Sequence, residues 1–119
     1  MSIRSLLTAA AAVAALAFPA GAAAATPKLF ATVGPNDTIS LKTASGTAVR
    51  SVKAGTYVIV VRDRADDHNF ILRGPGVSKA TGVRATGTVT WRVRFLRGKT
   101  YSFVCAPHAG EMRGSFRAR

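Results

Sequence analysis

The chain holds few residues with sulfur or imidazole side chains: one cysteine, two histidines and two methionines, one of which is Met1. A single cysteine excludes a disulfide within the chain, so a folded domain has to be stabilised by its hydrophobic core. In an exported protein, a lone free thiol is prone to oxidation or to pairing with another chain. Burial of the cysteine in the core, or a bond from its thiolate to a metal, would remove that hazard.

Motifs for several other functions are also missing. The sequence shows no helix-turn-helix or zinc-finger pattern, no Ser-His-Asp spacing and no glycine-rich phosphate loop. Two histidines are too few for the several copper centres of multicopper oxidases or nitrite reductases. Asp63, Asp66 and Asp67 lie among arginines in one connecting segment, and we expect them to be solvated rather than catalytic. The sequence therefore predicts a protein that is not an enzyme and that does not bind nucleic acid specifically.

The first 25 residues have the pattern of an export signal. Arg4 supplies a positive start, Leu6–Phe18 is an apolar run, and Ala23-Ala24-Ala25 gives a small-x-small cleavage site. The run is shorter than the membrane span of about 20 apolar residues; an uncleaved anchoring helix is the alternative. We predict a signal peptide at 1–25 and one domain at 26–119 without a transmembrane anchor. The expected location is the periplasm, the cell envelope or the extracellular space.

Positive charge dominates the predicted mature domain. It keeps 16 of the 17 basic residues and all five acids, which gives a net charge of +11. Such a field attracts anionic surfaces and speeds association with acidic partners. We expect a solvated basic surface that keeps a monomeric protein soluble or contacts an acidic cell envelope.

The mature domain has the composition of strands. Apolar, β-branched and aromatic segments alternate with Gly/Pro clusters, and no helical periodicity follows the signal. This pattern predicts an all-β fold, a β-sandwich of about seven to eight strands. The strand-like segments are 29–33, 38–43, 55–61, 68–72, 88–95, 100–105 and 114–118.

Three of the four sulfur or imidazole side chains of the mature domain lie within eight residues, at Cys105, His108 and Met112. His68 is the fourth. One thiolate, two imidazoles and a thioether are the donor set of a blue-copper electron-transfer site, in which the thioether is a weak axial ligand. The sequence therefore predicts that these four residues bind one copper ion.

Strand periodicity predicts where two of these donors point. Tyr101, Phe103 and Cys105 share one face of their strand, so Cys105 ends an inward-facing row. His68, at the start of segment 68–72, ends a second inward row. The preceding strand contributes an inward row formed by Val89, Trp91, Val93 and Phe95.

The segment after Cys105 has to fold back to bring His108 to the same metal. Fully extended, the two residues would lie about 10 Å apart. Pro107 favours a turn because it has no N–H to donate to a sheet. Small residues at 106, 109 and 110 allow that turn to tighten.

Two other interpretations of this segment remain. Spacings of three and seven also fit one face of a helix packed in the core without metal, although positions seven apart are separated by about 10.5 Å along a helix. A closed zinc site could instead recruit Glu111. We expect Glu111 to face solvent and not to bind the metal.

Taken together, these residues resemble those of the cupredoxins, the small type 1 copper proteins. His68-Asn69, followed by Cys105-x-x-His108-x-x-x-Met112, matches the family's ligands in order, and the resemblance covers nearly all of 26–119. It implies a Greek-key β-sandwich with copper under a loop at one end. It also implies that Asn69 links the two ligand loops by hydrogen bonds. The spacing between His108 and Met112 and the strong positive charge are not constants of the family.

The function expected from these observations is one-electron transfer between Cu(I) and Cu(II). Solvent-near His108, surrounded by Ala106, Pro107 and Ala109, would be the electron port, and the basic surface could steer an acidic redox partner. Two alternatives stay open. One is copper storage or delivery outside the cytoplasm without electron transfer, and the other is a metal-free basic sandwich that binds the envelope.

Overall fold

The computed structural model describes residues 8–14 and 25–119. Of the predicted signal peptide, residues 1–7 and 15–24 lie outside the described part, and the cleavage site stays a prediction. Among the described residues there is no helix with the length and apolar character that a membrane span requires.

The described part of the chain contains nine β-strands: β1 (Lys28–Val33), β2 (Ile39–Thr43), β3 (Ser51–Val52), β4 (Gly55–Asp63), β5 (Ile71–Gly74), β6 (Val77–Ala80), β7 (Gly87–Phe95), β8 (Thr100–Val104) and β9 (Arg113–Ala118). Four form a sheet in the order β2-β1-β4-β7, and five form a sheet in the order β3-β9-β8-β5-β6. This arrangement confirms the prediction of an all-β sandwich.

The strand count is nine rather than seven to eight, because β3 and β6 have no counterpart in the sequence prediction. β3 is only two residues long. In β6, Val77 is buried but residues 78–80 are exposed, so the strand lacks a repeating apolar pattern. It forms because Gly76, with a φ of 74° that favours glycine, turns the chain back to pair with β5.

Alternating side chains from both sheets fill the space between them. In β8, Tyr101 and Phe103 are buried while their neighbours are more exposed, as the predicted row requires. Phe95 of β7 packs edge-on against Tyr101, with ring centroids 4.7 Å apart. Nearer the other end of the core, Phe70 stacks on Phe103 at 5.5 Å. The Phe95–Tyr101 contact joins β7 to β8 across the two sheets, whereas the Phe70–Phe103 stack lies within the five-stranded sheet, beside β5 and β8.

The predicted inward row of β7 is wrong at its first position. Val93 and Phe95 are buried, but Trp91 is only partly buried and Val89 is 44 % exposed. β7 is an edge strand, and its first half lies beside the loop that follows β6. The loop leaves a hollow of about 210 Å³ next to Val89 and Trp91 instead of a covering strand.

Strand directions collect four loops at one end of the sandwich. β1 and β4 run parallel, while β2, β7 and β8 each run antiparallel to a neighbour. The connections that meet at this end, called the site end below, are 34–38, 64–70, 81–86 and 105–112. Every residue of the predicted copper site belongs to two of these loops.

Gly114 gives a test of the core packing. In β9 it pairs with Phe103 of β8, and the Phe103 ring lies so close that an added Cβ would overlap it. We expect Gly114→Ala to lower the free energy of unfolding by about 1–3 kcal/mol through overpacking. Urea unfolding measures this. Gly82→Ala is the control, because its added Cβ would make only ordinary contact with Ala85; equal losses in both variants would contradict the packing explanation.

Candidate metal centre

Cys105 lies immediately after β8, and its side chain is fully buried at the site end of the core. It continues the inward row of Tyr101 and Phe103, because successive side chains of a strand alternate between faces. The Cys105 N–H donates to the Met112 carbonyl at 2.9 Å. This hydrogen bond brings the start and the end of the 105–112 loop together.

The fold-back after Cys105 is a single 3-10 turn at Ala106–His108. Pro107 fits there because the first turn of a helix leaves its N–H groups unpaired in any case. The His108 N–H donates to the Cys105 carbonyl at 3.2 Å, and the Met112 N–H donates to the His108 carbonyl at 2.8 Å. The turn places the His108 side chain over Cys105, and the interpretation as a long helix is wrong.

His68 reaches the site from the loop between β4 and β5. The sequence placed it at the start of a strand, but β5 begins at Ile71. The loop is anchored by Asp63, whose carboxylate accepts the Ala65 N–H at 3.2 Å and the Thr81 hydroxyl at 3.3 Å. The His68 ring is consequently buried, with 1 % of its surface exposed.

Three donor atoms converge at this point. His68 Nδ1 lies 3.1 Å from His108 Nδ1, and Cys105 Sγ lies 3.7 Å and 3.8 Å from these two nitrogens. The point equidistant from all three atoms is about 2.1 Å from each, close to the lengths of about 2.0 Å and 2.3 Å of zinc–nitrogen and zinc–sulfur bonds. The triangle therefore has the size that one metal ion requires.

Met112 is the fourth predicted ligand. Its side chain is 1 % exposed and belongs to the core, and its backbone is hydrogen-bonded to both Cys105 and His108. These bonds hold Met112 at the inner end of the same loop. Its burial fits a thioether that closes the site from the core side.

Asn69 joins the loops that carry the donors. Its Oδ1 accepts the Ala106 N–H at 2.8 Å, and its Nδ2 donates to the Thr81 carbonyl at 3.3 Å. Its own N–H lies 3.5 Å from Cys105 Sγ, where it can donate to a thiolate. The resemblance implied that Asn69 links the two ligand loops by hydrogen bonds, and these contacts are of that kind. The hydrogen bond to Thr81 adds the 81–86 loop to the link.

Sequence reasoning missed Asp37. Its Oδ1 lies 3.5 Å from His68 Nε2 and 3.9 Å from His108 Nε2, on the side of each ring away from the donor nitrogen. Asp67 Oδ1 is 3.7 Å from His68 Nε2 as well. A carboxylate beside Nε2 favours the tautomer whose hydrogen is on Nε2, which leaves Nδ1 free to bind a metal. The only indication in the sequence that Asp37 lies near the histidines was its position in the turn at 34–37, because strand direction places that turn at the site end.

The acidic residues differ in part from the prediction. Asp66, Asp67 and Glu111 are exposed, as expected. Asp63 is not solvated: it is 5 % exposed and forms the two hydrogen bonds that anchor the His68 loop. A buried carboxylate with these partners positions the loop.

The donor set can bind a metal ion, and its chemistry restricts which one. Two imidazoles with a thiolate suit copper or zinc. The Glu111 side chain is exposed, so it does not supply a carboxylate oxygen as the fourth ligand. The residues present are compatible with a cupredoxin-like site.

Compared with models of known protein families and with curated protein sequences, the chain matches none. Fold and donor geometry are therefore the observations on which a function has to be proposed.

The anchor at Asp63 predicts a pH dependence of stability. Burial raises the pKa of the Asp63 carboxyl above its ordinary value, although the hydrogen bonds from Ala65 and Thr81 oppose that rise. The folded state therefore binds more protons than the unfolded state just above pH 4. The contribution of Asp63 ionisation consequently lowers the free energy of unfolding as the pH increases. Asp63→Asn removes the contribution, so the variant gains stability relative to the native protein as the pH rises.

Urea unfolding between about pH 3.5 and pH 6.5 measures this difference. Asp66→Asn, which removes an exposed carboxylate from the same loop, is the control for loss of one charge. A difference between Asp63→Asn and native protein that stays constant across this range would contradict the explanation.

Proposed function

We propose that this protein is an exported, cupredoxin-like electron carrier that holds one copper ion at His68, Cys105, His108 and Met112. The observation that carries the proposal is the convergence of two Nδ1 atoms and one Sγ atom within 3.8 Å of one another. Copper held there would alternate between Cu(I) and Cu(II) and so supply one-electron chemistry.

The surrounding hydrogen bonds suit such a role because they keep the donors in place. The Asn69 amide joins its own loop to the 81–86 and 105–112 loops, and backbone hydrogen bonds link Cys105, His108 and Met112 within the 105–112 loop. Side chains held by packing and by hydrogen bonds do not rearrange when the charge at the site changes. A small rearrangement favours rapid electron transfer.

His108 is the proposed route for the electron. It is 32 % exposed, whereas His68 and Cys105 are buried. Ala106, Pro107 and Ala109 around it are exposed and small or apolar, which suits brief docking of another protein. One accessible imidazole edge fits electron exchange better than substrate binding, and for this reason we propose a carrier and not an enzyme.

The charges near His108 bear on its redox partner. Asp37, Asp67 and Glu111 are exposed at the site end, and Asp37 is 3.9 Å from the His108 ring. The acidic partner expected from the overall charge stays an untested prediction. Carboxylates beside the electron port favour a partner whose docking surface is neutral or basic.

The first test is the absorption spectrum of the protein after addition of Cu(II). A thiolate bound to Cu(II) gives an intense blue charge-transfer band, so we expect this band at one equivalent of copper. Cys105→Ser should abolish it, and Met112→Leu should retain it because an axial thioether contributes weakly. A colourless Cu(II) complex of folded protein would refute the proposed site; tight zinc binding with no blue band would favour the zinc interpretation.

A second measurement on the copper-loaded protein distinguishes electron transfer from copper storage. Electron self-exchange, measured by NMR on mixtures of the Cu(I) and Cu(II) forms, should be fast if the donors are rigid and His108 is the port. Blue protein with slow self-exchange would instead support storage or delivery.

Asp37→Asn tests the influence of the missed carboxylate. Removing a negative charge beside both imidazoles favours the less positive Cu(I) state, so the reduction potential should rise. One charge at this range is worth about 1 kcal/mol at an exposed site, or a few tens of millivolts for one electron. Voltammetry measures the shift.

Asp66→Asn is the matched control, because Asp66 is an exposed carboxylate of the site end that forms no ion pair with either histidine. We expect a smaller shift in this variant. Equal shifts would show that Asp37 acts only through net charge, and a fall in potential for Asp37→Asn would contradict its assigned position.

A further inference from the structure

The acidic residues of the chain are confined to one end of the sandwich. All five lie in or beside the loops of the site end. They are Asp37, Asp63, Asp66, Asp67 and Glu111. Arginines at 62, 64, 84 and 113 lie at the same end, so the opposite charges there nearly cancel.

Among the described residues, the charged side chains at the opposite end are all positive. Backbone hydrogen bonds join Val52 and Ala54 to Arg119, and Gly98 and Lys99 to Ala118, so the turns 53–54 and 96–99 lie against the end of β9. This surface, called the basic end, is formed by five exposed side chains. They are Lys53, Arg97, Lys99, Arg117 and Arg119.

No Asp or Glu side chain lies among these cations. Among residues 8–14 and 25–119, no lysine or arginine forms an ion pair with Asp or Glu. The Arg117 guanidinium reaches the turn at Gly98, so the cations of β9 and of the 96–99 turn belong to one surface. Like charges that are brought together without partners are an attractive surface for anions.

The two ends act independently on charged partners. The nine-residue strand β4 runs from one end to the other, a distance of about 30 Å. Charges in physiological salt are screened over about 8 Å. The field of the basic end is therefore weak at His108, and an anion drawn to this field binds far from the proposed metal site.

The direction of the chain indicates which anionic surface the basic end meets. β1 begins at Lys28, and the Pro27 carbonyl accepts the Val58 N–H in the first half of β4. The chain therefore enters the domain from the side of the basic end. The predicted signal peptide at 1–25, which engages the export membrane before it is cleaved, precedes this point in the sequence, so the basic end is the side of the domain nearest that membrane during export.

We propose that the basic end binds the surface of a bilayer that contains anionic phospholipid, and that the site end then faces away from the membrane. Each Lys or Arg near such a surface contributes to binding, and a cluster of several gives a stable association. The interaction needs no metal, so it stands or fails separately from the proposed electron transfer.

Sedimentation with lipid vesicles tests the interaction on metal-free protein. Vesicles of three parts phosphatidylcholine to one part phosphatidylglycerol should bind the protein, and pure phosphatidylcholine should not. The triple variant Lys53→Gln, Arg97→Gln and Lys99→Gln should lose at least about tenfold in affinity, since three cations leave the contact surface.

The matched control removes the same charge from the site end, through Arg62→Gln, Arg64→Gln and Arg84→Gln. It should retain affinity within about threefold, because these side chains lie beyond the screening distance. Equal losses in the two triple variants would overturn the proposal, as would absence of binding to anionic vesicles. Tighter binding to DNA or to soluble polyphosphate than to the vesicles would also overturn it in favour of a polymer.

The orientation of the domain on the vesicle surface is measured separately. His108 is the partly exposed histidine of the site end, and its reaction with diethyl pyrocarbonate reports access to that end. Its rate should stay within about twofold when metal-free protein is bound to vesicles, since the histidine lies about 30 Å from the basic end. Strong protection of His108 by the vesicles would show that the site end faces the lipid and would overturn the proposed orientation.

Discussion

The hydrogen bonds of the Asn69 side chain are the contacts on which the site depends most. One buried amide accepts from Ala106 and donates to Thr81, so it ties three loops that come from distant parts of the chain. Loops at the end of a sandwich are otherwise free to separate, because no ladder of backbone hydrogen bonds connects them. An amide carries a donor and an acceptor on one rigid group, which lets it join two loops at once.

The β-sandwich fixes the starting points of the loops that the Asn69 amide joins. Cys105 follows β8 directly, and Asp63 ends β4, so the two ligand loops start from opposite sheets. Cross-sheet aromatic packing, such as Phe95 against Tyr101, sets the spacing of these sheets. The short distances among the donors thus follow from a core of side chains that bind no metal.

Local patterns predicted the fold class and the inward position of Cys105, because alternation along one strand needs no knowledge of the rest of the chain. They failed where exposure depends on the opposite layer, as at Val89, whose facing strand is replaced by a loop. Asp37 was missed for a similar reason. Its place beside His68 joins residues 31 positions apart, and nothing in the turn at 34–37 encodes that contact.

Both ends of the folded domain leave from the same side of the sandwich. Lys28 opens β1 there, and Arg119 is bonded to the turn before β4. A linker, a second domain or a solid support attached at either terminus would therefore leave the His108 face uncovered. Other domains can therefore be fused at either end of this domain while the His108 face stays accessible to a partner.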